Sequence, residues 1–471
     1  MSDERVIDAQ NAYIWDGWGT CLSWWANTEL GGRDDLAAAL FGLDGVRVGA
    51  TGGEIELPGL GLNIVRYNLG ACTWTDGSAM IESPAIVRRK QIETFCDGDE
   101  WDWSADANQR TMLSKARDAG ADTFEMFSVS PPWWMTVNGN PSGAEQGDQD
   151  NLAFQHQKAF AQFIAVVAKH ARDQWKIRFT SVDPFNEPSL NAWHAQQNQE
   201  GCHFTRGAQE AVLECLRGAL DEQGLDDVLI AASDECHYSS AADTWRNFSE
   251  GTRRLIGRVN VHAYERDEDC RSRAKLREAV GEGTPIWQSE YSEGEPDGLS
   301  MALSISRDVQ HLRPRGWVCW QPVEALDWGL LDGEYDDQTP NPNGGAKGTL
   351  KGEVDGVNTK YYVLAHYTRH IRPTMRILQS GHTNTVAAHD ATARRLALVT
   401  VNDSAQQSVT YNLRQLAEGE RIARVWVTDA TNAPNARRYA KDTDISLRDG
   451  ILTLTHDPNT VTTIEIDEVE I

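Results

Sequence analysis

Short apolar runs recur along most of the chain, and amphipathic stretches separate them. The runs have the length and the β-branched content of buried strands, whereas the stretches between them repeat apolar positions with the spacing of helices. This alternation is typical of βα units, and eight of them predict an α/β fold, a (β/α)8 TIM barrel. The predicted strands are Trp15–Leu22, Leu62–Leu69, Thr123–Val129, Arg178–Phe185, Val228–Ser233, Arg258–Tyr264, Pro285–Glu290 and Gly316–Gln321. The clearest predicted helices are Gln109–Ala119, Leu152–Ala171, Ala208–Leu220, Leu299–Leu312 and Tyr361–Ile371.

The pattern changes after Arg372-Pro373, which is expected to end the last barrel helix. The remaining runs are short, rich in Val, Thr and Ile, and separated by Asn, Asp and Gly, which predicts a C-terminal antiparallel β-sandwich side domain. We therefore expect a catalytic barrel over residues 9–372 and a β-sandwich over 373–471 that also takes up an N-terminal strand, 1–8. The predicted strands of this part are Leu396–Val401, Ser408–Leu413, Arg424–Thr428, Ile451–Thr455 and Thr460–Ile466.

Two glutamates lie where predicted barrel strands end. Glu187 follows the fourth strand in Asp-Pro-Phe-Asn-Glu-Pro, and Glu290 ends the seventh in Ile-Trp-Gln-Ser-Glu-Tyr. In a parallel barrel both carboxylates would converge on the same open face. A pair of carboxylates about 5 Å apart is the equipment of a retaining glycoside hydrolase. Each could instead be a solvated loop residue, but the buried run before Glu290 argues against that for the second.

Polar side chains on the second strand and beside Glu187 are candidate partners of these carboxylates. Arg66 and Asn68 alternate along their strand and so share a face. An arginine inside a barrel needs an anionic partner, and Glu290 is a candidate. Asn186 could bond a sugar 2-hydroxyl, an interaction that strengthens as the transition state gains oxocarbenium character.

The sixth strand carries three more polar side chains, Asn260, His262 and Tyr264, on one face. A single histidine in a strand is often a satisfied core residue, but three polar groups pointing the same way favour a site. We expect Tyr264 to donate a hydrogen bond to Glu290 and His262 to line the sugar site.

The 17 tryptophans suggest a carbohydrate ligand, because indole rings stack on the C–H faces of sugars and the indole N–H can bond a hydroxyl. Trp133 and Trp134, in the rigid Ser-Pro-Pro-Trp-Trp-Met loop, and Trp320 are the candidates for substrate binding. A Gly- and Asn-rich segment at Asn341–Gly345 is expected to form a cleft wall. The tryptophans expected in or near loops are Trp18, Trp24, Trp25, Trp74, Trp101, Trp103, Trp133, Trp134, Trp193 and Trp320.

Charge and cysteine pattern exclude several other classes of protein. A formal charge of −26 on 471 residues argues against nucleic acid and anionic membrane surfaces and suits a neutral ligand. The eight cysteines include no C-x-x-C pair, and the chain has neither H-E-x-x-H nor G-x-S-x-G, so we expect no metal and no cofactor. No membrane span or basic-apolar leader is visible, so the chain is expected to be cytoplasmic, or secreted if a signal peptide has been removed. Oligomeric state is left open.

The motifs together resemble glycoside hydrolase family 30. That resemblance implies a retaining enzyme with Glu187 as acid/base and Glu290 as nucleophile, supported by Arg66, Asn186 and Tyr264, on a barrel that carries a β side domain. The segments that carry the resemblance are Trp15-Asp-Gly-Trp-Gly-Thr, Ser23-Trp-Trp-Ala, Arg66-Tyr-Asn, Ser130-Pro-Pro-Trp-Trp-Met, Phe185-Asn-Glu-Pro, Val261-His-Ala-Tyr and Ser289-Glu-Tyr.

Within the family, the opening segment is most similar to the endo-β-1,6-galactanase branch. This resemblance implies a neutral β-linked polysaccharide substrate, the β-1,6-galactan side chains of type II arabinogalactan. Cys21 and the loop segments 97–103 and 341–352 depart from the pattern and leave endo and exo action both open. The alternatives are a β-galactofuranosidase or a β-1,6-glucanase of the same family, or, in a different class, a catalytically inactive carbohydrate-binding barrel.

Overall fold

Eight parallel strands close into a barrel in their chain order, which confirms the predicted barrel. The computed structural model describes residues 3–73, 90–335, 350–417 and 419–471. Trp74 and the expected cleft wall at Asn341–Gly345 lie outside these ranges. The barrel strands are β1 (Gly17–Cys21), β2 (Ile64–Asn68), β3 (Thr123–Phe127), β4 (Phe179–Asp183), β5 (Leu229–Glu235), β6 (Ile256–His262), β7 (Ile286–Glu290) and β8 (Gly316–Cys319).

The barrel strands are buried on both faces, which is why they read as continuous runs and not as alternating ones. Every residue of β1, β2, β7 and β8 is buried. The register slips near the carboxyl ends, at Ser233/Glu235 between β5 and β6 and at Val261/His262 between β6 and β7. Such irregularities re-aim side chains, and here they lie beside both predicted catalytic strands.

Nine α-helices fall in the described parts of the chain, and all five of the clearest predicted helices are among them. The helix predicted to begin at Leu152 begins instead at Gln157, because a 3-10 turn at Phe154–His156 precedes it. The helices are α1 (Asp34–Phe41), α2 (Ala107–Ala119), α3 (Gln157–His170), α4 (Arg206–Glu222), α5 (Tyr238–Asn247), α6 (Glu250–Leu255), α7 (Arg271–Val280), α8 (Leu299–Arg307) and α9 (Thr359–Thr368).

The C-terminal part forms an additional β domain with two sheets. Asp3–Val6 pairs with Gln407–Asn412 of the smaller sheet, and Asp8–Ile14 pairs with Arg376–Gln379 of the larger one. Strand pairing with the C-terminal part thus involves both N-terminal strands, Asp3–Val6 and Asp8–Ile14. The larger sheet contains Asp8–Ile14, Arg376–Gln379, Thr385–Asp390, Arg395–Asn402, Thr460–Asp467, Arg421–Asp429, Ala440–Lys441 and Ile445–Leu447; the smaller contains Asp3–Val6, Gln407–Asn412 and Ile451–His456.

Two further groups of strands were not predicted from the sequence. One is a five-stranded sheet and the other a two-stranded hairpin. Their strands are Gly45–Ala50, Gly53–Pro58, Val323–Glu324, Leu331–Tyr335 and Leu350–Val357 in the sheet, and Cys96–Asp97 with Glu100–Trp101 in the hairpin. Across the described residues, no helix combines the length and the apolar character that a membrane crossing requires.

Candidate active site

Glu187 and Glu290 meet at the carboxyl end of the barrel. Glu290 is the last residue of β7, and Glu187 lies four residues beyond β4. Glu187 has a left-handed backbone, φ 48°, which its neighbours hold. Its N–H donates to the Asp234 carbonyl at 2.8 Å, and its own carbonyl accepts from Trp193 Nε1 at 3.0 Å. Such a conformation costs on the order of 1–3 kcal/mol, so the surrounding structure must fix it.

His262 lies between the two glutamates. Its Nδ1 is 3.0 Å from Glu187 Oε1 and 3.4 Å from Glu290 Oε1. One carboxylate oxygen of Glu187, one ring nitrogen of His262 and one carboxylate oxygen of Glu290 all lie within 4.8 Å of one another. The imidazole on β6 therefore bridges the ends of β4 and β7 and sets the spacing of the carboxylates.

Arg66 on β2 supports the site from below. It donates to Glu125 Oε1 at 2.9 Å, to Asp234 Oδ2 at 2.6 Å and to the Ser289 carbonyl at 3.1 Å. Its Nη1 also lies 3.6 Å from Glu290 Oε2. Glu290 is thus the expected anionic partner of Arg66, although Glu125 and Asp234 hold the guanidinium more closely.

Asp234, in the irregular part of β5, joins the supports of both glutamates. Besides Arg66, it accepts a hydrogen bond from Ser289 Oγ at 2.6 Å. His262 Nε2 lies 3.1 Å from its Oδ2, an ion-pair contact whose angle is poor for a hydrogen bond. Burial alone would raise the pKa of Asp234, but Arg66 and His262 outweigh it and lower that pKa below its usual value. Asp234 is therefore a buried anion.

The charges around Glu290 oppose one another. Burial raises its pKa to about 7, and Glu187 adds to the rise, whereas His262 and Arg66 reduce it. The Tyr264 hydroxyl donates to Glu290 Oε1 at 2.9 Å, as expected from the strand alternation. Burial would lower the pKa of His262, but Glu290 and Asp234 raise it well above the usual value, so the imidazole is protonated near neutral pH.

A cleft of about 190 Å³ opens above the two carboxylates. Trp24 and Trp320 are in edge-to-face contact there, with ring centroids 5.3 Å apart. Asn186 also lines the cleft, and its buried Oδ1 lacks a hydrogen-bond partner among the described residues. The lining residues are Trp24, Val129, Asn186, Glu187, Gln199, Tyr264, Glu290 and Trp320.

Four side chains predicted to bind the substrate or line the sugar site lie outside that lining. One is His262, which contacts both glutamates but is fully buried; the other three are Asn68, Trp133 and Trp134. Asn68 is fully buried, donates to Glu200 Oε2 at 3.3 Å and exchanges hydrogen bonds with Gln109. Trp134 donates to the Cys96 carbonyl at 2.7 Å, and Trp133 is half-buried beside it. The structure therefore places Asn68 and Trp134 in contacts with other parts of the protein, whereas Trp133 is half-buried outside the lining.

Several other tryptophans expected near the cleft serve the core. Trp18 packs on Trp15 at 4.7 Å between ring centroids and donates to the Ile371 carbonyl at 2.7 Å. Trp25 is buried and donates to the Cys21 carbonyl at 2.9 Å. A residue in or near a barrel strand can thus belong to the packing between the barrel and its helices and not to the open face.

Comparisons with known proteins agree with this geometry. The sequence model of O-glycosyl hydrolase family 30 matches residues 15–250. An endo-β-1,6-galactanase of Hypocrea rufa is 38% identical, over 98% of this chain and 94% of that protein. The chain belongs to glycoside hydrolase family 30. It is therefore an O-glycoside hydrolase.

One further relative and one solved structure are less similar to this family 30 chain. An exo-β-1,6-galactobiohydrolase of Bifidobacterium longum is 24% identical over 79% of this chain, which spans only 32% of that protein. The crystal structure of a conserved exported protein from Bacteroides fragilis has a TM-score of 0.80 at 20% identity, over 98% of this chain and 100% of that one. At such identity the second likeness shows the fold alone.

Two residues around the carboxylates were not predicted from the sequence. The first is Asp234, because the predicted fifth strand ends one residue earlier, at Ser233. An acidic residue directly after a buried run is the same signal that revealed Glu290 and could have found it. The second is Gln199, which lies in an irregular loop between β4 and α4 with no periodic pattern around it.

The ligand types of Glu187, His262 and Glu290 are also those of a metal site. However, His262 directs the same Nδ1 toward both carboxylates and its Nε2 toward Asp234. These contacts already occupy both nitrogens that a metal would need. The arrangement favours proton and charge chemistry at a sugar over metal binding.

Proposed function

We propose that this chain is a retaining hydrolase of β-1,6-linked galactan, with Glu290 as nucleophile and Glu187 as acid/base. The observation that carries the proposal is the spacing of the two carboxylates, which have oxygens within 4.8 Å of each other. Retaining enzymes hold the two groups about 5–5.5 Å apart, whereas inverting enzymes need roughly 6.5–9.5 Å to admit a water. The substrate is inferred from the 38% identical endo-β-1,6-galactanase.

In the first step, a Glu290 oxygen attacks the anomeric carbon while the bond from that carbon to the leaving oxygen breaks. The carboxylic acid of Glu187 gives its proton to that oxygen, so the released chain leaves as an alcohol. Arg66 and Tyr264 position Glu290 for the attack. The product of this step is a glycosyl ester on Glu290.

In the second step, the Glu187 carboxylate takes a proton from a water as the water oxygen attacks the anomeric carbon. The ester bond to Glu290 breaks, and both glutamates regain their starting states. His262 Nδ1 touches both carboxylates, so the imidazolium can stabilise whichever of them is ionised. Two inversions at one carbon leave the product with the β configuration of the substrate.

The cleft offers suitable contacts for the sugar. Asn186 lines the cleft and its buried Oδ1 has no hydrogen-bond partner among the described residues, so a sugar hydroxyl is a candidate partner. Trp24 and Trp320 supply indole surface for the C–H face of a galactose unit. A protein of net charge −26 also suits an uncharged sugar better than it suits an anionic sugar, which it would repel.

We propose internal cleavage. The endo-acting relative matches this chain over nearly the full length of both proteins, whereas the exo-acting relative is far longer and less similar. The same argument favours the galactan over the galactofuranoside and β-1,6-glucan alternatives, because both relatives are named for β-1,6-galactan chemistry.

A time course on linear β-1,6-galacto-oligosaccharides tests these points together, with β-1,6-glucan in parallel. Products are resolved by chromatography, and their first anomer is identified by proton NMR before mutarotation. We expect a ladder of galactan products released as β-anomers and no product from glucan. Initial α-anomers would contradict retention, a single short product would contradict internal cleavage, and turnover of glucan alone would contradict the substrate.

For the domain organisation, we propose a barrel over residues 15–372 and a β-sandwich over 373–471 with residues 3–14. A shared apolar core between the two C-terminal sheets supports the sandwich. Leu398 and Ile464 from the larger sheet and Val409 and Tyr411 from the smaller belong to that core. Strand pairing of residues 3–14 with the C-terminal part supports the N-terminal limit.

A further inference from the structure

One tryptophan stands out by its exposure. Among the described residues, Trp101 is 40% exposed and Trp328 is 48% exposed. Trp101 stacks on Trp103, with ring centroids 4.9 Å apart. No such ring partner is found for Trp328 within the described ranges. A large indole face left open to solvent is a surface on which a ligand can stack.

Trp328 lies on the same end of the barrel as the cleft. It belongs to the loop after β8, the strand that leads directly to Trp320 in the cleft. A Cβ placed on Gly294 would be 3.4 Å from Trp328 Nε1, so the indole borders the loop after β7. Gly294 is four residues beyond Glu290, so the Cα atoms of the two residues are at most about 14 Å apart.

The loop that carries Trp328 is held in an uncommon conformation. Leu326 and Asp327, the two residues before it, both have left-handed backbones, φ 57° and 63°. Neither is a glycine, so each costs on the order of 1–3 kcal/mol unless contacts fix it. Such strain is common where a side chain must be presented to a ligand.

A buried lysine fixes this loop against its neighbour. Lys360, at the start of α9, is only 2% exposed, and its Nζ donates to the Asp327 carbonyl and to the Glu293 carbonyl, the second at 2.7 Å. Its backbone N–H also donates to the Pro296 carbonyl at 3.0 Å. The β7 and β8 loops are thus joined beneath Trp328, which preorganises the indole.

We infer that Trp328 is a second sugar-binding platform, which stacks on a galactose unit of the chain several positions from the cleaved bond. This inference rests on the proposed function and adds a subsite outside the cleft. Two observations favour this occupant. The indole lies on the loop that follows Trp320 and borders the loop that follows Glu290, and both of those residues line the cleft. An open indole also matches the C–H face of a neutral sugar.

The test compares Trp328→Ala and Trp328→Phe with the wild type on β-1,6-galacto-oligosaccharides of increasing length. The readout is the ratio of kcat/KM for a long oligosaccharide to that for the shortest one cleaved. We expect Trp328→Ala to lower this ratio about tenfold, in line with the loss of one aromatic stacking contact, and Trp328→Phe to keep most of it.

Trp101→Ala is the matched control, since it also removes a partly exposed indole but one that packs over α3 near Phe163. It should leave the ratio unchanged. A folded Trp328→Ala enzyme with the wild-type ratio would overturn the platform alone. A wild-type enzyme that cleaves no galactan of any length would overturn the proposed function, and the platform with it.

Discussion

His262 in the barrel and His366 in α9 are both fully buried, yet their charges differ. His262 faces Glu187, Glu290 and Asp234, and these carboxylates raise its pKa well above the usual value despite burial. His366 is hydrogen-bonded to two neutral threonines, and nearby His370 also disfavours its charged form. Its ring nitrogens lie 2.7 Å from Thr463 Oγ1 and 2.8 Å from Thr428 Oγ1, so burial lowers its pKa well below the usual value.

Burial does not by itself decide the charge of a histidine. The groups that contact its ring nitrogens decide it. The barrel centre collects charges whose field acts on a reacting sugar. The joint between α9 and the C-terminal sheet instead uses neutral hydrogen bonds, which stabilise the contact without affecting the site. Substitutions in the two regions should therefore separate activity from stability.

The largest effect is expected for Glu290→Gln. The amide can still accept from Tyr264, so the fold should persist, but it cannot form the glycosyl ester, and kcat should fall on the order of 10⁴-fold or more. Steady-state assays on galacto-oligosaccharides measure this. Glu295→Gln, an exposed glutamate in the same loop, is the control and should match the wild type. Glu290→Gln turnover within tenfold of wild type would refute the assigned nucleophile.

Asp234→Asn should have the next largest effect. The substitution removes the negative charge that Arg66 and His262 both contact. Both glutamates should then be misplaced, and kcat/KM should fall about 10²-fold. The carboxylate stabilises the imidazolium, so the pKa of His262, followed by NMR titration, should also fall.

Asp183→Asn is the matched control for this substitution. Asp183 is equally buried, but burial and the nearby Asp234 raise its pKa well above the usual value, so it holds its proton near neutral pH. Replacing it removes no charge, and kcat/KM should change by no more than about threefold. An unchanged His262 pKa in Asp234→Asn would show that Asp234 does not set the charge of the site.

The pH profile should show a smaller, graded effect. Because the pKa of Glu290 is raised to about 7, the ionised nucleophile is lost as pH falls through 7, and kcat/KM should drop about tenfold per pH unit below it. Tyr264→Phe removes a donor that favours the carboxylate, so its acid limb should move to higher pH. A profile flat down to pH 5 would contradict this charge balance.

The smallest effect on activity is expected for His366→Phe, which leaves kcat/KM unchanged but lowers stability. Thr428 and Thr463 would lose their ring partner, at a cost of about 2–4 kcal/mol in the free energy of unfolding. Denaturant unfolding measures this.

The pH dependence of stability checks the charge of His366. Its folded pKa is depressed, so the unfolded state binds the proton more readily, and stability should fall as pH drops below about 6.5. That slope should be shallower in His366→Phe. Some slope should remain, because burial also lowers the pKa of His370 and of His456, the latter to about 4. An equal slope in both proteins would mean that folding does not depress the pKa of His366.

Much of the fold and the centre of the site could be predicted from the sequence. Buried strands at regular intervals indicated the barrel, and strand alternation placed His262 and Tyr264 toward the same carboxylates. The strands Arg376–Gln379 and Thr385–Asp390 were not predicted. They are short, and the first begins three residues after the breaker Pro373, so little local pattern marks them.

The order of the elements and the residue types at the strand ends are visible in the sequence, because local periodicity marks where each strand ends. Which polar groups meet in space depends on the tertiary structure. Asp234 contacts Arg66, His262 and Ser289, each of which lies on a different strand. Lys360 joins the loop after β7 to the loop after β8. Whether a tryptophan such as Trp18 or Trp328 is core or platform was also decided by the tertiary structure, because burial depends on non-local neighbours that no local pattern records.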